Sequence, residues 1–311
     1  MMAISPRRQR GFTLVELLVV IAIIVLLMSL LMPAIQKVRA ASDKMLCANN
    51  LKQIGIALHN FHIDYDRFPP GYMSNQPYVD GASDTSPGWG WSAYLLPYIE
   101  SDNVYRQIRF DLPIQDSRNA GAVQTFIKPY ICPSDLVPSG PFTITSAGGG
   151  GGFLAAPSSY AATCGPDESE VDAETGLGVF YRNSKTRIAD IHDGSSNTVL
   201  IGDRAWAMTN GSWVGAPSRT VCRAGTSNPW TMATGASPTF VLVHNNWINI
   251  LTDADGGLDD FSSFHPGGVN LLFGDGAVHF LPSITSDGQI RADFWALGTR
   301  SGGELVLQLD Y

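Results

Sequence analysis

RRQRGFTLVELLVVIAIIVLLMSLLM, residues Arg7 to Met32, decides how the rest of the chain is read. Three cations, Arg7, Arg8 and Arg10, and then Gly11 precede Phe12, and from there to Lys37 the only ionisable side chain is Glu16. A bilayer core about 30 Å thick needs roughly 20 apolar residues as helix, and Phe12 to Met32 supplies them. The basic flank stays on the cytoplasmic side, so everything after Met32 is expected outside. Two general readings are a plain single-pass anchor and a secretory signal peptide cut after Val38-Arg39-Ala40. The apolar run is long for a signal peptide, and the helical pattern continues through that cut. Arg7-Arg8 lacks the neighbours of a twin-arginine signal.

A third reading is more specific. Gly11-Phe12-Thr13-Leu14-Val15-Glu16, behind a short basic leader and ahead of an apolar helix, resembles the processing site of type IV prepilins and type II secretion pseudopilins. The resemblance implies cleavage between Gly11 and Phe12 by prepilin peptidase, with N-methylation of Phe12. It also implies that Glu16 pairs with the N-terminal ammonium of a neighbouring subunit and sets register as subunits are added. The physics agrees, because an intramembrane carboxylate costs about 2.5 kcal/mol or more and usually has a named partner. A glutamate snorkelling to the interface is the plainer alternative.

The 311 residues carry 28 acids against 20 bases, a net charge of −8, and loss of residues 1 to 11 with their three arginines makes it −11. An acidic chain without basic clusters beyond the leader argues against nucleic-acid binding. The 32 glycines and 19 prolines imply many turns, and seven tryptophans with fourteen phenylalanines supply a core. We find no fixed-period repeat, which argues against a solenoid or propeller. Cys47, Cys132, Cys164 and Cys222 form no CxxC pair, so a zinc or thioredoxin-type reading has little support. Export permits disulfides. Three connectivities are open, of which Cys47 to Cys132 with Cys164 to Cys222 is our choice, against buried thiols at some or all positions.

Past Pro33, where a kink is expected, Leu51, Ile54, Leu58 and Phe61 recur at helical spacing and extend the helix to about Asp64. Lys52, Gln53 and Asn60 fall off that stripe. Arg67-Phe68-Pro69-Pro70-Gly71 ends the helix. Gly88 to Phe110 reads as short helices with a break at Pro97, and its rings suit a core better than a sugar site because Leu95, Leu96, Ile99 and Val104 accompany them. Asn119 to Lys128 reads as another short helix. Gly148 to Gly152 mark a flexible loop, with no lysine and hydroxyl residue to make a phosphate loop. Ser159 to Thr163, Leu177 to Tyr181 and Thr198 to Ile201 read as strands.

Two segments invite chemistry. His192, Asp193 and Ser195 are hydrolase-type residues, but neighbours in sequence do not make a triad and no G-x-S-x-G elbow is present. They read as a polar turn. Asp253, Asp255, Asp259 and Asp260 in Thr252 to Asp260 offer hard oxygen ligands for calcium. The spacing departs from an EF-hand at Gly257 and Phe264. The pilin resemblance supports calcium modestly, since some pseudopilins bind it in a C-terminal loop; a solvated acidic loop is the default.

His265 to Leu281 reads as a hairpin. Asp275-Gly276 is a two-residue type I′ turn signal, and that turn pairs Phe273 with Val278 and Leu271 with Phe280. Val269 then joins those four on one apolar face, with Asn270 and His279 on the other. His265, nine residues and Asp275-Gly276 resemble the C-terminal signature of a large family of prepilin-like proteins whose head has no established activity. Cys47 to Gln53, Phe68-Pro69-Pro70 and Cys132-Pro133-Ser134-Asp135 resemble it as well. His265 and Asp275 stand at opposite ends of the hairpin, too far apart for an acid-base pair. A backbone or carboxylate partner at the start of the strand suits His265 better.

These readings predict an α+β, pilin-like chain. Residues 1–11 are the leader, and 12–64 a long N-terminal helix, membrane-spanning over about 12–32. Residues 65–311 are a β-rich antiparallel head with the hairpin 265–281. The expected function is a structural subunit of a type IV pilus or type II secretion pseudopilus, not an enzyme, with no cofactor. Its partners are prepilin peptidase, other pilin-like subunits and inner-membrane lipid, and its head is extracytoplasmic. The alternative is a membrane-tethered binding module for glycan or calcium.

Overall fold

A computed structural model describes residues 13–78, 84–148, 151–167, 174–223, 234–250, 257–282 and 288–304. One helix, α1 (Leu14–Tyr65), opens the chain and passes through Pro33. It contributes to two compact units, Met1–Ser42 and Asp43–Tyr311.

In the first unit every described residue from Thr13 to Arg39 is exposed, including the whole run Leu14 to Met32. Leucine, isoleucine and valine at every position round the helix leave no polar face. That is the composition of a bilayer span. The helix is long and apolar enough to cross a membrane. Pro33 brings no N–H to the carbonyl four residues back. Ser29 Oγ donates to the Leu26 carbonyl at 2.8 Å.

In the second unit α1 becomes amphipathic. Leu51, Ile54, Leu58 and Phe61 are buried, while Lys52, Gln53 and Asn60 are exposed. The helix stops where Asp66 takes a left-handed φ of 53° and its N–H caps the His62 carbonyl at 2.8 Å. Short elements follow: β1 (Tyr72–Ser74), β2 (Pro87–Gly90), α2 (Trp91–Leu95), α3 (Asp102–Tyr105), α4 (Ala120–Val123), β3 (Phe142–Thr145) and β4 (Gly152–Ala155). Gly152, the last of the glycine run, pairs with Thr145 in the β3–β4 ladder. Of the residues 119–128, only Ala120 to Val123 are α-helical.

The remaining strands are β5 (Tyr160–Gly165), β6 (Val199–Asp203), β7 (Cys222–Arg223), β8 (Thr234–Gly235), β9 (Leu242–Ile250), β10 (Asp260–Ser263), β11 (Gly268–Phe273) and β12 (Val278–Pro282), followed by α5 (Gly288–Ala296). Six of them form the central sheet in the order β10-β9-β5-β6-β11-β12. This sheet is mixed. β5 pairs with β9, and β9 with β10, in parallel, whereas β5–β6, β6–β11 and β11–β12 are antiparallel. Leu177 to Tyr181, expected as a strand, belongs to no strand. It lies along β5, with the Gly178 and Phe180 amides bonded to the Cys164 and Thr163 carbonyls.

Both faces of the sheet are covered. Period-two alternation sends Tyr160, Ala162, Leu242 and Leu272 to a core shared with Leu51, Ile54 and Leu58 of α1. Ala161, Val243, Val269, Leu271, Phe273 and Leu281 go to a second core with Phe294 of α5 and Leu297. At Gly55 the helix backbone comes so close to the sheet that an added Cβ would stand 2.8 Å from Leu272 Cδ1.

The hairpin forms one residue out of the expected register. Leu272 pairs with Val278, Leu271 with His279, Asn270 with Phe280 and Val269 with Leu281. The turn explains the slip. Gly276 alone takes a positive φ, 81°, and its N–H bonds to the Phe273 carbonyl at 2.9 Å. This is a turn over Phe273 to Gly276 that ends on the left-handed glycine, the three-residue hairpin. A type I′ turn would need positive φ at Asp275 as well. His279 therefore shares the face of Leu271, and Phe280 that of Asn270.

Candidate functional site

Gly11 and Phe12 lie outside the described residues; the motif's described part begins at Thr13. The Thr13 N–H and hydroxyl donate to Glu16 Oε2 at 2.9 and 2.8 Å, and the Glu16 N–H donates back to Thr13 Oγ1 at 3.3 Å. This is a capping box, which satisfies amides that a helix start leaves unpaired. It places the carboxylate at the positive end of the helix. Thr13 is a residue that the reading of the motif missed, although T-x-x-E before an apolar run is its signal. Within the single chain Glu16 is already held and aimed, on a helix whose apolar side chains from Leu14 to Met32 are all exposed.

The head assembles a second group of motif residues beneath α1. Cys47 on the buried side of α1 is joined to Cys132 by a disulfide. Three residues on, Asn50 Nδ2 donates to the Ile131 carbonyl at 3.0 Å and to the Tyr160 hydroxyl at 3.3 Å. Asp135, at the end of Cys132-Pro133-Ser134-Asp135, accepts from Ser159 Oγ at 2.6 Å and from the Trp206 and Ala207 amides at 2.7 and 3.4 Å. One loop is thus tied to α1, the residue before β5 and the chain after β6. Burial raises the Asp135 carboxyl above its usual value, against these hydrogen bonds.

His265, just before β11, is buried with Nε2 at 3.4 Å from Cys132 Sγ and 3.7 Å from Asp203 Oδ2. Asp203 ends β6, and its Oδ2 accepts from both the backbone and side-chain N–H of Asn270 at 2.8 Å. Asp203 Oδ1 and His265 Nδ1 are buried without a hydrogen-bond partner. Desolvation pushes Asp203 up to about 7, against the Asn270 bonds, and pushes His265 down to about 4. Lys44, one turn before Cys47, lies with Nζ 3.0 Å from the Phe280 ring centroid and attracts Asp203 electrostatically. Asp203 and Asn270 were not singled out from sequence; nothing local distinguishes a strand-end aspartate whose partner lies 67 residues away.

Asp275 and Gly276 sit apart from His265, at the hairpin tip. The Gly276 carbonyl accepts from Lys52 Nζ at 2.6 Å, and the Asp275 amide bonds to the Ser195 carbonyl at 3.0 Å. The turn thereby docks the hairpin on α1.

Cys164 and Cys222 do not pair with each other. Cys164 Sγ donates to the Val243 carbonyl at 3.1 Å, and Cys222, a buried thiol, lies 3.9 Å from the Asn210 carbonyl. Their strands, β5 in the central sheet and β7 in a separate pair with β8, carry them apart.

Of the acidic loop, Asp253 and Asp255 lie outside the described residues. Asp260 Oδ1 is 3.1 Å from His244 Nε2, and Asp259 Oδ2 is 3.7 Å from His244 Nδ1. Asp260 Oδ2 also accepts from the Gly257 amide at 2.6 Å. These two carboxylates therefore face an imidazole. Asp193 accepts from Thr299 Oγ1 and the Gly302 and Gly303 amides, each at 2.8 Å, which makes the His192–Asn197 turn a clamp on the segment after α5.

Two families match the chain. The one described as "Protein of unknown function (DUF1559)" covers residues 36–287, and the "Prokaryotic N-terminal methylation motif" covers residues 6–32. No curated protein and no solved structure matches.

Proposed function

The chain belongs to the DUF1559 family behind a prokaryotic N-terminal methylation motif, and on that premise we propose that it is a structural subunit of a type IV pilus or a type II secretion pseudopilus. Prepilin peptidase cuts between Gly11 and Phe12 and methylates Phe12. The helix then leaves the inner membrane laterally to pack against the helices of other pilin-like subunits, and the head stands on the extracytoplasmic side.

The observation that carries this reading is the pairing of the motif with an apolar helix that buries none of its side chains from Leu14 to Met32. Such a surface suits lipid before assembly and neighbouring helices after it. The capping box supports the role of Glu16, because it holds one oxygen of the carboxylate on Thr13 at the helix start. An incoming N-terminal ammonium then meets an anion whose orientation is already set, which favours register over added stability. In this reading the head is a structural body and not an enzyme. Its His265 and Asp203 are buried, 2% exposed at each residue.

The test replaces Glu16 by alanine in the producing cell. Cleavage of the leader is expected to continue, while the chain is lost from sheared filaments and accumulates in the membrane. Incorporation at the level of the unaltered chain would remove the register role. A chain absent from every filament fraction, with Glu16 intact, would favour the tethered binding module.

A further inference from the structure

The residues around the disulfide form more than a covalent staple. Ligand atoms of Cys47, Cys132 and His265 all lie within 4.8 Å of one another, and all three residues are buried. Asp203 stands next to this group, with Oδ2 3.7 Å from His265 Nε2. Two soft sulfurs, an imidazole and a carboxylate are a donor set that zinc-type cations take in tetrahedral geometry. Zn–S bonds of about 2.3 Å and Zn–N and Zn–O bonds of about 2.1 Å give tetrahedral edges of about 3.6 Å for N···S and about 3.4 Å for N···O. The His265–Cys132 and His265–Asp203 edges are 3.4 and 3.7 Å. Two edges of the tetrahedron are therefore in place, and opening the disulfide frees the sulfurs to part and supply the third.

We propose that in its dithiol state the head binds one zinc-type divalent cation through Cys47, Cys132, His265 and Asp203. Disulfide and metal are then alternative cross-links between the same three elements: α1, the Cys132-Pro133-Ser134-Asp135 loop and the segment leading into β11. The chemistry balances. A phosphine reductant gives two electrons to the disulfide, takes its oxygen from water as phosphine oxide, and leaves the two water protons on the thiols. The cation displaces those protons and binds two thiolates. Two thiolates and a carboxylate on a divalent ion carry one net negative charge, and the Lys44 ammonium beside Asp203 offsets it. The buried Asp203 Oδ1 and His265 Nδ1, which have no hydrogen-bond partner in the disulfide form, are at a site where a cation would reorganise both groups. Metal loading would hold both sulfurs as thiolates and so protect the pair from oxidation until export or exchange removes the ion.

The experiment uses the detergent-solubilised full chain, reduced anaerobically with a phosphine and titrated with Co²⁺ and Zn²⁺. Expected are one cobalt per chain, tetrahedral d–d bands with a sulfur-to-metal charge-transfer band, and a zinc-dependent rise in Tm, none of them in the oxidised chain. C47S should weaken the charge-transfer band, and the double variant C47S/C132S should abolish it. H265A and D203N should weaken binding at least tenfold. C222S, at the thiol outside the site, should leave the spectrum unchanged. The proposal is overturned if the reduced chain binds no cobalt, if it binds without a thiolate band, or if the oxidised chain binds equally well. Should reduction loosen the head, zinc is expected to restore its near-ultraviolet circular dichroism, and failure to do so also overturns the proposal.

Discussion

Removing the disulfide is the perturbation whose cost follows most directly from the fold. Cys47 and Cys132 are 85 residues apart, so their bond closes a long loop in the unfolded chain. The chain-entropy relation puts the stabilisation from a loop of that size at about 4.5 kcal/mol. A domain's whole stability is about 5–15 kcal/mol, so the double variant C47A/C132A should lose a large share of it. At about 2–4 °C per kcal/mol for a domain of this size, Tm should fall by about 9–18 °C. The assay is urea unfolding of the oxidised full chain in detergent with chelator present, comparing midpoint and slope with the double variant. C164A and C222A, which open no loop, should cost only packing, about 1–2 kcal/mol each. A double variant within about 1 kcal/mol of the parent would refute the reasoning, because the loop would then not be what the disulfide restrains.

Other consequences are open to the same measurement. D135A removes the acceptor for Ser159 and for the Trp206 and Ala207 amides, and should cost about 3 kcal/mol or more; a loss below about 1 kcal/mol would show that the loop is held elsewhere. Gly202 has no room for a methyl beside Leu271 and Phe261, so G202A should destabilise by about 1–3 kcal/mol, and an unchanged urea midpoint would contradict that packing. Asp203 rises from 3.8 to about 7 on folding, so its contribution is full below pH 4 and is lost as pH rises through 7. His265 falls from 6.5 to about 4, so its contribution is full above pH 6.5 and is lost as pH drops through 4. In the disulfide form the two slopes oppose each other between those limits. H265Q should then lose stability from pH 4 to 7, and D203N should gain it from pH 4 to 6.5, each by about 3–4 kcal/mol. Parallel pH profiles for the two variants would contradict the assignment.

How much was legible in the sequence differs from element to element for physical reasons. The apolar run from Leu14 and the stripe Leu51, Ile54, Leu58 and Phe61 marked α1, because a helix writes its environment every three to four residues. The hairpin at Asp275-Gly276 was legible as a turn but not in register. The same dipeptide serves a two-residue and a three-residue loop, and the difference lies in the φ of Asp275. The parallel pairs β5–β9 and β9–β10 were hidden. Strands covered on both faces lack simple alternation, and their partners come from distant parts of the chain. The Cys47–Cys132 bond, from helix to loop, and the thiols of Cys164 and Cys222 depend on which distant segments become neighbours, which spacing does not encode. For the candidate site, Cys47, Cys132 and His265 stood out in the family-like motifs, whereas Asp203 and Asn270 meet only through the β6–β11 pairing. Thr13 was legible, and its role appears once the helix start is seen to need a cap.

The central claim is that this chain is matured as a prepilin and assembled through its N-terminal helix. The most direct test is the N-terminal residue of the native protein, read by mass spectrometry in membrane and sheared surface fractions. A chain beginning at N-methylated Phe12 in both fractions is the expected result. A chain that retains residues 1–11, or one that begins at Ala41, would contradict the claim.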